Sequence, residues 1–94
     1  MTRVIWTRQA VDDVEAIKTY VARDSDRYAG LLVERLVAAV GRLDLFPQSG
    51  RVVPEVGDES LREVIYGNYR VVYRLQAESV EVVTVYHAAR LLRI

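Results

Sequence analysis

The chain has 94 residues, 51% of them apolar and 28% charged, which excludes a disordered segment and leaves room for one core only. It has no Cys and a single His, which excludes disulfides, thiolate zinc sites and multi-histidine metal centres. Thirteen cations balance thirteen acids for zero net charge, which argues against a grip on nucleic acid driven by charge alone.

Arg3 to Trp6 reads as a short strand. Thr7 is a candidate N-cap, and Ala10, Val14, Ile17 and Val21 recur at helical spacing, so a first helix is predicted over Arg8–Ala22. Asp24-Ser25-Asp26 supplies a turn with further cap candidates. A second helix is predicted over Asp26–Leu45. Tyr28, Leu32, Leu36, Ala39, Leu43 and Phe46 form its core face, with Leu31, Val37 and Leu45 outside it. Pro47 ends that helix. The stretch from Pro47 to Ser60 reads as a loop by its Pro, Gly and polar content, and loops of this length in compact domains tend to carry function.

Leu61–Tyr66, Tyr69–Leu75 and Val80–His87 read as three strands of an antiparallel meander, rich in Val, Ile and Tyr. Gly67-Asn68 makes the first hairpin turn, and Gln76 to Ser79 the second. These turns set Tyr66 opposite Tyr69 and Leu75 opposite Val80. In that register one face carries Tyr69, Val71, Tyr73, Leu75, Val80, Val82, Thr84 and Tyr86, and would receive the helices. The other carries Arg70, Val72, Arg74, Glu81, Val83, Val85 and His87, with Leu61, Glu63 and Ile65.

On this second face Arg74 opposes Glu81, with Glu63 on the diagonal, so a cross-strand ion pair is expected. Arg70 falls between Ile65 and Val85, with no strand acid beside it and His87 one diagonal step away. This Arg–His pairing is the most suggestive constellation in the chain. Two other readings stay open: Arg70 pairs with a loop acid, Glu55 or Glu59, or a β-bulge flips the register and separates the two. Arg62 is expected at the sheet periphery in a salt bridge. Trp6 and most of the meander tyrosines are expected in the core. Twelve of the thirteen cations are Arg, Lys18 being the exception; the plainest reading is compositional bias.

One ordered series of segments spans nearly the whole chain. It runs through Trp6-Thr7, Ala10…Asp13-Val14…Ile17…Tyr20, Phe46-Pro47-Gln48-Ser49-Gly50-Arg51, Pro54-Glu55, Leu61-Arg62-Glu63, Tyr69-Arg70-Val71-Val72-Tyr73-Arg74 and Val85-Tyr86-His87-Ala88-Ala89-Arg90. This series resembles the RelE/ParE superfamily of bacterial toxins. The resemblance implies a single α+β domain over 1–94, of order β-α-α-β-β-β, with the helical hairpin on one face of a mainly antiparallel sheet. It implies a toxin of a type II toxin–antitoxin module, cytoplasmic, without cofactor or metal, bound by a cognate antitoxin. Leu31, Val37 and Leu45 are the candidate antitoxin contacts.

Two targets are known in the superfamily: DNA gyrase for ParE-like members, and messenger RNA on the translating ribosome for RelE-like members. If the chain is an RNA-cleaving enzyme, the resemblance assigns Arg70, His87 and Glu55 to catalysis. Arg51 and Arg90 are candidate target contacts on either reading. Ribosome-dependent relatives are strongly basic, and positive charge aids capture of a polyanion. Zero net charge therefore favours the gyrase-directed reading, with the mRNA endonuclease as the alternative.

Overall fold

Two side-chain caps set the helical hairpin. In the computed structural model, which describes residues 2–88, Thr7 has extended backbone (φ −72°, ψ 160°), and its hydroxyl accepts the Ala10 N–H at 3.1 Å. That satisfies one of the free N–H groups at the start of α1 (Arg8–Ala22). Ser25 repeats the device for α2 (Asp26–Gly41), accepting from the Tyr28 N–H at 3.0 Å.

Along α2, buried Ala29, Leu32, Leu36 and Val40 recur every three or four residues, so they share one face. Leu32, Leu36 and Val40 pack with Ala10 and Val14 of α1 and with Val71, Tyr73, Val80, Val82 and Val85 of the sheet to form the core. The second helix does not reach Leu45 as expected. It gives way after Gly41 to a 3-10 turn over Arg42–Asp44, and the tighter winding breaks the 3.6-residue phase. Leu43 stays buried, but Phe46, expected on the core face, is 62% exposed. Tyr28, in the first turn, is also exposed.

The strands are β1 (Arg3–Trp6), β2 (Arg51–Val52), β3 (Leu61–Tyr66), β4 (Tyr69–Leu75) and β5 (Ser79–His87). They form a five-stranded sheet in the order β1-β5-β4-β3-β2. β1 runs parallel to β5, and the other pairs are antiparallel. This is the expected α+β architecture, with both helices on one face. β2 was not expected, because two residues are too few to show alternation. Between β3 and β4, Gly67 takes φ +56°, a conformation the tight hairpin turn demands and glycine adopts without strain.

The β4–β5 ladder contains the one departure that matters for function. Leu75↔Val80, Arg74↔Glu81 and Tyr73↔Val82 pair as expected. The register then shifts, so that Val72 meets Thr84, Val71 meets Val85, Arg70 meets Tyr86 and Tyr69 meets His87. Val83 is the extra residue of a β-bulge, and it turns everything after it to the opposite face. Val85 enters the core, whereas Tyr86 leaves it for the far side.

A bulge disrupts ladder hydrogen bonds, and α1 supplies replacements. The Thr7 hydroxyl lies 2.8 Å from the Val82 carbonyl oxygen and 3.1 Å from that of Val83. The Asp13 carboxylate accepts the Val85 N–H at 3.0 Å and the Thr84 hydroxyl. Asp13→Ala leaves the buried Val85 N–H without an acceptor, so a loss of about 1–2 kcal/mol is expected. Urea unfolding should show it, together with faster exchange of the Val85 amide. A change under about 0.5 kcal/mol would mean that the bulge does not depend on this brace.

Candidate functional site

The far face of the sheet, opposite the helices, holds a chain of four charged side chains. Glu63 on β3 pairs with Val72 of β4 and Arg51 of β2, and Arg70 on β4 pairs with Ile65. Alternate residues on adjacent strands point to the same side, so Arg51, Glu63 and Arg70 converge. Arg70 Nη2 lies 2.6 Å from Glu63 Oε1, and its Nε donates to the same oxygen at 2.6 Å. Arg51 Nε donates to the other Glu63 oxygen, also at 2.6 Å. The loop after β2 then brings Glu55 onto the outer edge of the guanidinium. Arg70 Nη1 and Nη2 reach its two oxygens at 2.7 and 2.8 Å. This planar, two-point match is the geometry for which Arg is suited and Lys is not.

The network is covered. The Glu63 side chain has no exposed surface, Arg70 has 7% and Glu55 24%. The Tyr86 ring lies under the guanidinium at 5.2 Å, a cation–π contact in place of solvent. Arg70 is therefore held charged, its pKa pushed up first by Glu55 and also by Glu63, against the opposing effect of burial. Burial pushes the Tyr86 hydroxyl up, while the neighbouring Arg70 charge pulls it down. Two cations and two carboxylates sum to zero, so the site presents little net field.

His87 lies elsewhere. The bulge aligns it with Tyr69, not with Arg70, and its ring meets the edge of Tyr69 with centroids 5.7 Å apart and planes at 76°. It is exposed on the helix side, at the rim of a cleft of about 670 Å³ lined by Asp13, Ala16, Ile17, Tyr20, Tyr69 and Thr84. Burial, with Tyr28 and Tyr20 nearby, raises the pKa of the Tyr69 hydroxyl.

The three expected catalytic residues therefore do not form one site. Arg70 and Glu55 meet as an ion pair, and His87 is on the other face. Arg51, expected to contact a target, is tied to Glu63, though its side chain remains 59% exposed. Arg90 lies outside the described residues. Arg74 opposes Glu81 as expected, but among the described residues no ion pair forms between them. Glu63, expected on Arg74's diagonal, serves Arg51 and Arg70 instead. Among the described residues Arg62 makes no salt bridge; it donates to the carbonyls of Glu59 at 3.1 Å and Gly50 at 3.0 Å, pinning the loop. Leu31, Val37 and Leu45 are exposed as expected, at 38%, 47% and 62%.

Asp13 and Tyr86 were missed as structural determinants of the site. An Asp early in a helix reads as a partner for the helix dipole, and nothing local marks it as a brace for a strand some seventy residues away. Among the described residues, no group of three or more His, Asp or Glu is placed to hold a metal ion, and no helix is long and apolar enough to cross a membrane.

A family model described as the ParE toxin of the type II toxin–antitoxin system parDE matches residues 4–92. Toxin RelE2 of Caulobacter vibrioides is 34% identical over 92 residues, covering 97% of this chain and all of that protein. Putative toxin Y4kP of Sinorhizobium fredii is 33% identical over 88 residues, covering 92% of this chain and 88% of that one. Among solved structures, a chain of the chromosomal ParDE toxin–antitoxin system from P. aeruginosa superposes with a TM-score of 0.75 at 21% identity, over 93% of this chain and 96% of that one. A chain of the RelBE2 toxin–antitoxin complex from Mycobacterium tuberculosis gives 0.57 at 20% identity, over 92% and 96%. The two structures share the fold, and the family match extends over nearly the whole sequence: this chain belongs to the ParE toxin family of type II toxin–antitoxin systems.

Proposed function

We propose that this protein is the toxin half of an antitoxin-controlled pair and arrests bacterial growth by binding DNA gyrase, not by cutting messenger RNA. The observation that carries this reading is the state of Arg70. Cleavage of RNA without a metal needs a base for the 2′-hydroxyl, an acid for the leaving oxygen and a cation free to stabilise the phosphate. Arg70 is buried with its guanidinium engaged by two carboxylates. A phosphate approaching it from solvent would meet the Glu55 carboxylate before it met the cation. The imidazole of His87 is on the other face of the sheet and is not positioned to act with Arg70. Zero net charge points the same way, since a ribosome-directed nuclease gains from positive charge.

The antitoxin is the expected regulatory partner. Amphipathic helices and added strands are the usual means of covering such a domain, and exposed Leu31, Val37 and Leu45 on the helical side offer apolar contacts.

Induction of the gene alone should stop growth, trap cleaved DNA on gyrase and raise the DNA-damage response, while messenger RNA stays uncut. Co-induction of the antitoxin should restore growth. Messenger RNA cut within translated frames, with no DNA damage, would refute the gyrase reading and favour the nuclease.

A further inference from the structure

On the helix side, away from the charged network, the cleft between α1 and the ends of β4 and β5 has an acidic end and an aromatic end. Asp13, Ile17 and Tyr20 fall at intervals of four and three residues, so they line one side of α1 over about 10 Å. Asp13 meets Thr84 and Val85 of β5. Tyr69 belongs to the other end, within electrostatic reach of Tyr20 and Tyr28 and edge-on to His87. Ala16 and Ile17 give an apolar lining between the two ends.

The half-buried Asp13 carboxylate forms no ion pair among the described residues. Its Oδ2 accepts the Val85 N–H and the Thr84 hydroxyl, and its Oδ1 accepts the side-chain amide of exposed Gln9 at 2.8 Å. All three donors are neutral. A carboxylate has about four lone-pair sites, so Oδ1 has capacity for a further donor. Bracing the bulge needs one acceptor oxygen, which a neutral amide would also supply. The negative charge and the second oxygen are surplus to that task. At the aromatic end, the Tyr20 ring already carries a guanidinium, that of Arg23, 5.5 Å from its centroid. An exposed tyrosine face thus attracts this group here.

We propose that this cleft is a binding site for an arginine side chain presented by a partner polypeptide, with the guanidinium on Asp13 Oδ1 and the methylene stem against Ile17 and the rings of Tyr20 and Tyr69. Arginine suits the site better than lysine, because its planar, weakly hydrated head donates to carboxylates and packs on aromatic faces. One side chain fills only part of a cleft of about 670 Å³, and the remainder accommodates the flanking residues of a chain. The inference does not depend on which cellular target the protein has, and its test does not read toxicity.

Asp13→Asn removes the charge and keeps an acceptor for the Val85 N–H. Tyr20→Leu changes an exposed side chain. Arginine capped at both termini should be titrated into wild type and both variants, following the Thr84 and Val85 amides and the Tyr69 ring by NMR. Capped citrulline serves as the neutral match and free arginine as the third ligand. In wild type, capped arginine should give saturable shifts at these signals, with a dissociation constant on the order of millimolar. Capped citrulline should bind at least about fivefold more weakly, and Asp13→Asn should abolish that difference. Tyr20→Leu should weaken capped arginine by about two- to fivefold. No saturable shift in wild type, equal binding of citrulline, or unchanged affinity in Tyr20→Leu would overturn the proposal. These readouts decide it even if Asp13→Asn does not fold. Tighter binding of free arginine than of the capped form would overturn the assignment to a polypeptide, since the cleft would then read the termini of the free amino acid.

Discussion

Arg70→Ala is expected to lower stability by about 3–5 kcal/mol, the range found when one partner of a buried ion pair is removed. The Glu63 carboxylate, fully covered by the fold, would keep only the half-exposed Arg51 as a counter-charge. The space left under the loop between β2 and β3 would also undercut the ring of Tyr86, which now stacks on the guanidinium. A domain of this size has a total stability of only about 5–15 kcal/mol. At roughly 4–8 °C per kcal/mol, the thermal midpoint should fall by more than about 10 °C. Arg51→Ala, by contrast, removes an exposed side chain and should cost less than about 1 kcal/mol. Urea unfolding of both variants checks the pair of values, and a loss under about 1 kcal/mol for Arg70→Ala would show that water enters and solvates Glu63. The consequence for function is direct. A loss of growth arrest in Arg70→Ala would report a damaged fold, not a missing catalytic group, unless the variant is shown to accumulate folded.

Gly50→Ala should cost about 3 kcal/mol or more, at or beyond the upper end of ordinary overpacking. A Cβ at this position would stand 2.6 Å from the Glu63 carbonyl oxygen, 2.6 Å from the Tyr73 hydroxyl and 2.8 Å from its Cε1. None of these can retreat cheaply. Tyr73 is completely buried, and its hydroxyl accepts the Gly50 N–H at 2.9 Å and donates to the Pro47 carbonyl at 2.7 Å. That one hydroxyl joins the end of the helical layer to the start of β2. The carbonyl belongs to the same Glu63 that orients Arg51 and Arg70, so the strain reaches the charged network. Gly30→Ala is the contrast. It sits within α2 with nothing near a new Cβ, and replacing a helical glycine should stabilise by roughly 0.5–1 kcal/mol. Thermal unfolding of both proteins decides; a Gly50→Ala variant within about 0.5 kcal/mol of wild type would mean that the contact at Gly50 is looser than the geometry shows.

The helices were legible because their signals are local. Thr7 and Ser25 cap within three residues, and the apolar spacing of Val14, Leu32, Leu36 and Val40 names the core face directly. The meander was legible because turn length sets strand pairing, so Tyr66↔Tyr69 and Leu75↔Val80 followed from Gly67-Asn68 and Gln76–Ser79. The end of α2 was misjudged because a 3-10 turn has nearly the same composition as the helix it terminates. The candidate site was half legible. That Arg70 would find a loop acid was one of the open readings, and the structure chose Glu55. That Glu63 would join it was not expected, because the diagonal to Arg74 offered a nearer explanation.

What the sequence determined alone was the set of elements, their order, the core faces of the helices and membership in a family of small toxins. What only the tertiary structure decided was which side chains share a face at the end of β5. Strand alternation has a period of two, so a single extra residue, Val83, exchanges Tyr86 for His87 beside Arg70. Nothing in the local sequence marks that residue. The bulge persists because Thr7 and Asp13, from the far end of the chain, satisfy the backbone groups it leaves unpaired. A long-range bond to a disrupted ladder has no local signature, and it is this bond that separates the histidine from the arginine.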